Sequence, residues 1–157
     1  MRADELEALR EDMLAVIAAG AFALRNTIGK SALDERVMTA MGKVPRHEFV
    51  PIELRPYAYD NIPLPIGFEK TISQPFVVAL MTDLLDINVD DSILEVGTGL
   101  GYQAAILAQL ARKVYSVEII EELGQAAKQR LRQQGLQQCR RLPMAITVGQ
   151  STPPLTR

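Results

Sequence analysis

The feature that most constrains this fold is a glycine-rich loop set between two apolar runs. The first run, Ser92-Ile-Leu-Glu-Val96, leads into glycines at positions 97, 99 and 101. A segment that can form a helix follows from Tyr102 to Leu110, and the second run, Val114-Tyr-Ser-Val-Glu118, ends in an acid. This order of strand, glycine loop, helix, strand and acid is typical of a nucleotide-binding βαβ unit. The glycines let the backbone approach a ligand closely and adopt angles that side chains disfavour.

Two acids beside this loop indicate which nucleotide it binds. A dinucleotide loop usually places its third glycine one position later than this chain does. Glu95, two positions before the first glycine, would repel a pyrophosphate but suits a cationic ligand such as S-adenosyl-L-methionine. Glu118 can accept hydrogen bonds from two ribose hydroxyls. The pattern resembles the first motif of the class I methyltransferases, and a glycine-rich turn in another α/β protein is the alternative.

Composition narrows the class of protein. A length of 157 residues predicts one domain, and a hydrophobic content of 48% supports a core. The net charge of −2 gives no basic face for nucleic acid or an anionic membrane. The single cysteine, Cys139, excludes a disulfide within the chain. We expect a cytoplasmic protein that binds no metal, nucleic acid or membrane.

One apolar stretch near the start, Met13 to Leu24, needs a separate explanation. It is about half as long as the roughly 20 residues that a membrane span requires. The residues before it include several acids, the wrong charge for a signal peptide. Apolar residues at helical spacing instead predict an amphipathic helix from Ala3 to about Ala19, ended by Gly20. Ser31 or Asp34 can cap a second helix.

The segment 43–75 carries six prolines, which exclude one long helix. It also carries too many apolar side chains for a flexible linker. We expect an ordered loop layer packed over the core, and ordered loops often carry function. A helix then begins at Pro75, a residue suited to a first helical turn. The buried face predicted for this helix comprises Val77, Val78, Leu80, Met81, Leu84 and Leu85.

The predicted fold class is α/β: the N-terminal part of a Rossmann-like class I methyltransferase sheet, preceded by helices and the ordered Pro-rich loop layer. Its strands are expected at 92–96 and 113–117. Helices are expected at about 101–111 and about 121–134, the second ending at Gly135.

Five sequence blocks occur in an order that resembles one family. They are Val44-Pro-Arg-x-x-Phe-Val-Pro51, Ala58-Tyr-Asp60, Leu64-Pro-Ile-Gly67, Thr71-Ile-Ser-Gln-Pro75 and Leu94-Glu-Val-Gly-Thr-Gly-x-Gly-Tyr-Gln103. Together they resemble the protein-L-isoaspartate O-methyltransferases over roughly residues 30 to 136. The Thr-Ile-Ser-Gln-Pro block is specific to that family, whereas many methyltransferases share the glycine loop.

The resemblance implies transfer of a methyl group from S-adenosyl-L-methionine to the carboxylate of L-isoaspartyl residues in damaged proteins, which begins their repair. It implies that Ser73 is the catalytic serine, with a cap for the Pro75 helix as the alternative role. Thr71, Ile72 and Gln74 are the implied substrate-binding residues. The implied donor-binding residues are Glu95, Gly97, Thr98, Gly99, Gly101 and Glu118.

This chemistry asks little of acids and bases. The attacking carboxylate has a pKa of about 4 and is ionised at neutral pH. The leaving group is a neutral thioether, so in-line placement of the carboxylate and the methyl carbon is the main task. We therefore expect the only histidine, His47, to be a surface loop residue and Arg46 a solvated loop charge.

The resemblance ends near Gly135, and the chain is expected to be truncated or frameshifted after about residue 136. One back-translation of Pro143 to Pro154, read in another frame, gives a peptide that resembles the family's continuation. A genuine divergent tail is the alternative. We assign 1–136 to the methyltransferase domain, with 1–91 on the substrate side and 92–136 as the donor-binding unit. The tail at 137–157 is expected to be irregular.

A shortened sheet would leave strand 92–96 on an edge, so we expect self-association through that edge. The expected partners are otherwise isoaspartyl-containing proteins and peptides. Three alternatives to the repair enzyme stay open. The chain could be a non-catalytic remnant that binds the donor weakly or not at all, a class I methyltransferase with a different acceptor, or a dinucleotide oxidoreductase, which the glycine spacing and Glu95 disfavour.

Overall fold

Residues 2–136 and 139–141 are described by a computed structural model, in which the chain divides into two units after Asp86. The first unit is Met1–Asp86 and the second is Ile87–Arg157. Residues 137, 138 and 142–157 lie outside the described part. The expectations of a changed reading frame and of an irregular tail fall largely on these residues.

Four helices organise the first unit. They are α1 (Ala3–Ala23), α2 (Arg25–Ile28), α3 (Glu35–Lys43) and α4 (Pro75–Leu84). Helix α1 packs against both α3 and α4 and buries Met13, Ile17 and Ala21. Asp34 is the N-cap of α3, because its side chain accepts a hydrogen bond from the Arg36 amide at 2.7 Å.

Gly20 does not end α1, contrary to the prediction, because the helix continues to Ala23. A Cβ atom at Gly20 would lie 3.0 Å from the Phe76 ring of α4. The glycine therefore permits close approach of two helices and is not a stop signal. The chain instead turns at Gly29, the residue after the short helix α2, where the φ angle is 78°.

The Pro-rich segment is ordered, as predicted. It also contains 3₁₀ turns and two short strands, which were not predicted from its sequence. Two 3₁₀ turns at Arg46–Phe49 and Ile52–Tyr57 precede a hairpin of β1 (Leu64–Gly67) and β2 (Lys70–Ile72). Pro65 lies within β1, which a proline can occupy on an edge strand.

Helix α4 begins at Pro75, as predicted, but its buried face is different from the predicted one. Val77, Met81 and Leu84 are exposed, whereas the buried residues are Pro75, Phe76, Val78, Ala79, Thr82 and Asp83. Asp83 is buried because its carboxylate forms an ion pair with Lys30 and accepts a hydrogen bond from the Asp34 amide at 2.6 Å. An almost wholly apolar helix has no periodicity from which its inner face can be predicted.

A parallel sheet forms the core of the second unit. Its strands are β3 (Ser92–Val96), β4 (Lys113–Val117) and β5 (Cys139–Arg141), in the order β3-β4-β5. Helix α5 (Tyr102–Ala108) connects β3 to β4, and α6 (Glu121–Gln133) connects β4 to β5. The positions predicted for β3, β4 and α6 are confirmed, and the fold class is α/β as expected.

Strand β5 differs from the expectation that the tail is irregular. It pairs in parallel with β4, with Cys139 opposite Val114. Among the described residues three form this strand, and two of them are arginines, so these residues show no apolar alternation that a sequence pattern could detect.

Across the described part of the chain, no helix combines the length and the apolar character needed to cross a membrane.

Candidate functional site: the glycine loop and its acids

The loop from β3 to α5 depends on glycine conformations at three positions. Gly97, Gly99 and Gly101 have φ angles of 89°, 54° and 94°, in the left-handed region that side chains disfavour. A Cβ atom on Gly101 would also lie 3.3 Å from side-chain atoms of Ala127 and Leu131 in α6, whereas one on Gly97 would meet nothing within 4 Å. Gly101 thus packs the loop against α6, and Gly97 borders open space.

Backbone hydrogen bonds hold the loop against the end of β4. The amides of Gly97 and Thr98 both donate to the Val117 carbonyl, at 2.8 and 3.2 Å. The Gly101 amide donates to the Thr98 carbonyl at 2.9 Å, which closes the turn into α5. The loop therefore has a defined path even though three of its residues lack side chains.

Glu118 lies directly under this loop, at the residue after β4. Its Oε2 accepts a hydrogen bond from the Gly99 amide at 2.7 Å, and its Oε1 accepts one from the Ile120 amide at 3.0 Å. An ionised carboxylate can accept about four hydrogen bonds. Two acceptor positions, one on each oxygen, therefore stay available for the pair of hydroxyls that the sequence predicts as its ligand.

Glu95 is a buried carboxylate at the end of the adjacent strand. Its Oε2 accepts a hydrogen bond from the Ser116 hydroxyl. Its Oε1 is buried and has no hydrogen-bond partner among the described residues. Burial raises the pKa of Glu95 to about 7 and the charge of Glu118 adds to this shift, whereas hydrogen bonds from Ser116 and from the Ala104 backbone oppose it. Both protonation states of Glu95 are therefore populated near neutral pH.

Two further buried groups complete this cluster. The Thr98 Oγ1 lies 2.5 Å from the Ser116 Oγ, and both residues are buried. The sequence analysis did not identify Ser116 as a residue of the site. Its sequence position gave an indication, because a small polar residue lies between the apolar residues of β4, and in the parallel register it lies opposite Glu95.

The thiol of Cys139 also lies near this cluster, and its Sγ donates to the Ala104 carbonyl at 3.5 Å. Burial raises the pKa of Cys139 to about 12, and the charge of Glu95 contributes. A thiol with so high a pKa carries almost no thiolate at neutral pH, which makes it a poor nucleophile.

In the first unit, Thr71 and Ile72 end strand β2, and Ser73 and Gln74 join it to α4. Thr71 and Ser73 are exposed, Ile72 is buried, and Gln74 is half-buried. Gln74, and not Ser73, occupies the N-cap position of α4. The backbone amide of Phe76 in the first turn of the helix donates to Asn61 Oδ1 at 3.0 Å. Asn61 therefore caps helix α4, which was the alternative role expected for Ser73.

Arg46 and His47 are not the solvated surface residues that the sequence predicted. Arg46 is wholly buried, and its Nε donates to the Ala58 carbonyl at 2.7 Å. The His47 Nδ1 lies 2.8 Å from the Tyr59 hydroxyl, and burial lowers the pKa of the ring. Both side chains stabilise the Pro-rich layer, because each bridges its 3₁₀ turn to a residue about 12 positions later.

The structure therefore brings the predicted donor residues together within the second unit. Glu118 is hydrogen-bonded to the glycine loop at Gly99, and Thr98 of the loop and Glu95 of β3 are both hydrogen-bonded to Ser116. In the first unit, Ser73 lies in one short segment with its predicted neighbours at 71, 72 and 74.

Comparison with known proteins identifies a family. The family model for protein-L-isoaspartate(D-aspartate) O-methyltransferase matches residues 23–151, beyond both ends of the resemblance at 30 to 136. Protein-L-isoaspartate O-methyltransferase 1 of Polaromonas sp. is 58% identical over 135 residues, which cover 86% of this chain and 57% of that protein. Protein-L-isoaspartate O-methyltransferase 2 of Nitrosococcus oceani is 67% identical over 108 residues, covering 69% of this chain and 49% of the relative.

Solved structures share the fold at low sequence identity. A protein-L-isoaspartate O-methyltransferase structure aligns with a TM-score of 0.67 and 24% identity, covering 85% of this chain and 41% of that one. A Plasmodium falciparum structure of a beta-aspartate methyltransferase, solved with S-adenosyl-L-homocysteine, gives a TM-score of 0.63 and 18% identity, covering 87% of this chain and 61% of that one.

The chain spans about half the length of the curated relatives that it matches. The family match nevertheless covers most of this chain, including the glycine loop, its two acids and the segment around Ser73. The family model and the identity of the curated relatives establish that the chain belongs to the protein-L-isoaspartate(D-aspartate) O-methyltransferase family.

Proposed function

We propose that this chain takes part in methyl transfer from S-adenosyl-L-methionine to the carboxylate of L-isoaspartyl residues in damaged proteins. The observation that carries the proposal is the carboxylate of Glu118, which the amides of Gly99 and Ile120 hold at the glycine loop with one acceptor position left on each oxygen. The names of the relatives supply the acceptor, and S-adenosyl-L-homocysteine in a structural neighbour supports the donor.

The residues of the loop fit such a donor. Glu118 has acceptor positions for the two ribose hydroxyls, and hydrogen bonds from backbone amides fix its orientation. Glu95 contributes a buried oxygen without a partner among the described residues, which suits a cationic group. The donor-binding set is Glu95, Gly97, Thr98, Gly99, Gly101 and Glu118.

The acceptor side of the proposal rests on the segment from Thr71 to Gln74. The donor supplies an electrophilic methyl group. An ionised substrate carboxylate forms the new oxygen–carbon bond, while the sulfur–carbon bond breaks and its electron pair stays on the neutral thioether. We assign the exposed hydroxyl of Ser73 to orienting a carboxylate oxygen. Thr71 and Gln74 offer neighbouring polar groups, and the buried side chain of Ile72 anchors the segment.

This reaction needs no general base, since the acceptor is already ionised at neutral pH. The half-buried ring of His47 lies 2.8 Å from the Tyr59 hydroxyl, so we assign it a structural role in the Pro-rich layer and no proton transfer. Placement of the two reacting atoms is the contribution left to the protein.

Two measurements test the proposal. Isothermal titration of the 157-residue chain with S-adenosyl-L-homocysteine tests the donor site, and methylation of an isoaspartyl peptide against the matched aspartyl peptide tests the acceptor. Binding together with methylation of the isoaspartyl peptide alone is the expected result. Binding without turnover would favour the non-catalytic remnant, equal methylation of both peptides would point to another acceptor, and no binding would refute the donor assignment.

The proposal also includes a second copy of the chain as a partner, in a cytoplasmic setting. Within the described part of the sheet, β3 pairs only with β4. Leu94 and Val96 on this strand are 39% and 76% exposed. An edge strand with exposed apolar side chains favours pairing with another chain.

A further inference from the structure

Three buried polar side chains form a continuous hydrogen-bonded chain beneath the glycine loop. Thr98 Oγ1 lies 2.5 Å from Ser116 Oγ, and Ser116 Oγ contacts Glu95 Oε2. The three residues come from the loop, β4 and β3. Each of them is at most 8% exposed, so water does not compete for these bonds.

The direction of this chain of bonds follows from counting protons. Ser116 has one hydroxyl proton and two acceptor positions. When Glu95 is ionised it can only accept, so Ser116 donates to Glu95 and the Thr98 hydroxyl must donate to Ser116. In the ionised state of Glu95, its charge therefore fixes the orientation of the Thr98 hydroxyl through Ser116.

The loop has a particular need for such an anchor. Thr98 lies between Gly97 and Gly99, and both of these glycines have positive φ angles. Glycine loses more conformational freedom on ordering than any other residue. A side-chain bond from Thr98 to a rigid strand limits that freedom at the point where the Gly99 amide must meet Glu118.

We propose that Ser116 is a positioning residue for donor binding: its hydroxyl bonds the Thr98 side chain to Glu95 and so holds the Gly99 amide against the carboxylate of Glu118. Ser116 itself needs no contact with the donor. This inference rests on the proposed function for its affinity measurement, but not for its measurement on the loop.

Charged and titratable groups reach Glu95 from two neighbouring elements. Glu118 approaches from the end of β4, and the Cys139 thiol approaches from β5. Neither of them donates a hydrogen bond to Glu95, because the Glu118 carboxylate accepts from the Gly99 and Ile120 amides and the Cys139 thiol donates to the Ala104 carbonyl. Ser116 is therefore the donor that links Glu95 to the loop.

The test compares Ser116→Ala with Ser116→Thr, which restores a hydroxyl at the same position, and with Tyr115→Phe. The last variant removes a hydroxyl from the next residue of β4, whose side chain lies on the opposite face of the sheet. Two properties are measured: the affinity for S-adenosyl-L-homocysteine by calorimetry, and the hydrogen exchange of amides 97–101 without ligand.

We expect Ser116→Ala to weaken binding about five- to tenfold, the effect of losing one buried hydrogen bond, and to speed exchange of the loop amides while β3 and β4 stay protected. Ser116→Thr should restore both properties, and Tyr115→Phe should alter neither. Unchanged affinity and unchanged loop exchange in Ser116→Ala would overturn the inference.

A second variant covers the case in which Ser116→Ala does not fold. Thr98→Val removes the loop end of the same chain and leaves β4 intact, so it should reproduce the faster loop exchange. In the double mutant of Thr98→Val and Ser116→Ala, the loss of affinity should be clearly smaller than the sum of the two single losses, because each substitution removes the same hydrogen-bonded linkage. If the wild-type chain binds no S-adenosyl-L-homocysteine, the proposed function fails, and the exchange measurement still decides the role of Ser116.

Discussion

At the scale of single residues, backbone amides decide what the two acids of the site can do. Glu118 receives hydrogen bonds from two backbone amides, which fix the direction of its carboxylate. Glu95 receives a hydrogen bond from the Ser116 hydroxyl, and the Ala104 backbone also favours its ionised form, but its buried Oε1 has no hydrogen-bond partner among the described residues. Burial dominates at Glu95 and raises its pKa.

Removing the Glu118 side chain should weaken donor binding. Glu118→Ala loses the acceptor positions for both ribose hydroxyls and releases the Gly99 amide. We expect the affinity for S-adenosyl-L-homocysteine to fall by about 1–3 kcal/mol, the range for a hydrogen bond to a charged group. Calorimetry checks this, with Glu121→Ala in the first turn of α6 as the control for loss of a nearby acid. Equal affinity of wild type and Glu118→Ala would contradict the assignment.

The raised pKa of Glu95 makes the stability of the protein depend on pH. The carboxyl has a pKa of about 7 in the folded state against a model value of 4.5, so the folded state holds more protons between these values. Stability from this group is therefore fully present below pH 4.5 and is lost as the pH rises through about 7. The total change is on the order of 3 kcal/mol, since one pKa unit is worth about 1.4 kcal/mol.

Glu95→Gln removes this titration and keeps a partner for Ser116. Urea unfolding of wild type and variant from pH 5 to pH 8 should show the wild type losing free energy of unfolding relative to the variant as the pH rises. Two parallel curves across this range would show that Glu95 titrates normally, against the effect of its burial.

At the scale of elements, the patterns with clear periodicity were predictable and the short ones were not. Strands β3 and β4 each contain five residues, most of them apolar, and their positions agree with the prediction. Strands β1, β2 and β5 have three or four residues, too few to show alternation. The start of helix α4 was predicted correctly from Pro75. Its buried face was predicted wrongly, because the helix carries apolar residues on all of its sides.

The candidate site likewise contains some residues that could be predicted from the sequence and others that were not. The glycines and the two acids could be predicted because a βαβ unit places them at fixed positions in the chain. The roles of Ser116 and Asn61 were not predicted, because they depend on partners 18 and 15 positions away that the fold brings into contact. Arg46 was misjudged for a related reason, since a buried arginine and a solvated one have the same sequence signature.

The capping of α4 separates the roles of two polar residues near its start. Ser73→Ala should lower turnover on isoaspartyl peptides with little loss of thermal stability, because Ser73 is exposed and is not the N-cap. Asn61→Ala should instead lower stability by about 1 kcal/mol, the usual cost of a lost cap. Methylation assays and thermal unfolding of both variants measure this. A stability loss confined to Ser73→Ala would reverse the assignment.

At the scale of the whole molecule, the proposed pairing of two chains through β3 can be tested, because within the described residues β3 pairs only with β4. Val96 is 76% exposed there, and Val89, 70% exposed, lies in the turn before β3. Val96→Lys should reduce self-association, because a charged side chain on an edge strand opposes pairing with another chain. Val89→Lys makes the same chemical change outside the strand and should have little effect. Light scattering across a concentration series distinguishes them, and equal behaviour of both variants would show that general hydrophobicity, and not the edge, drives association.

The hairpin that precedes Ser73 carries a conformational cost at its tip. Phe68 and Glu69 have φ angles of 53° and 57°, a geometry that two-residue hairpin turns usually assign to Asn-Gly. For residues with a Cβ atom each such angle costs about 1–2 kcal/mol. The two strands contribute three or four residues each, so little pairing energy offsets that cost. The two positive φ angles at the tip therefore lower the stability of the hairpin, and a substitution there that relieves them should fix more firmly the end of β2, which Ser73 directly follows.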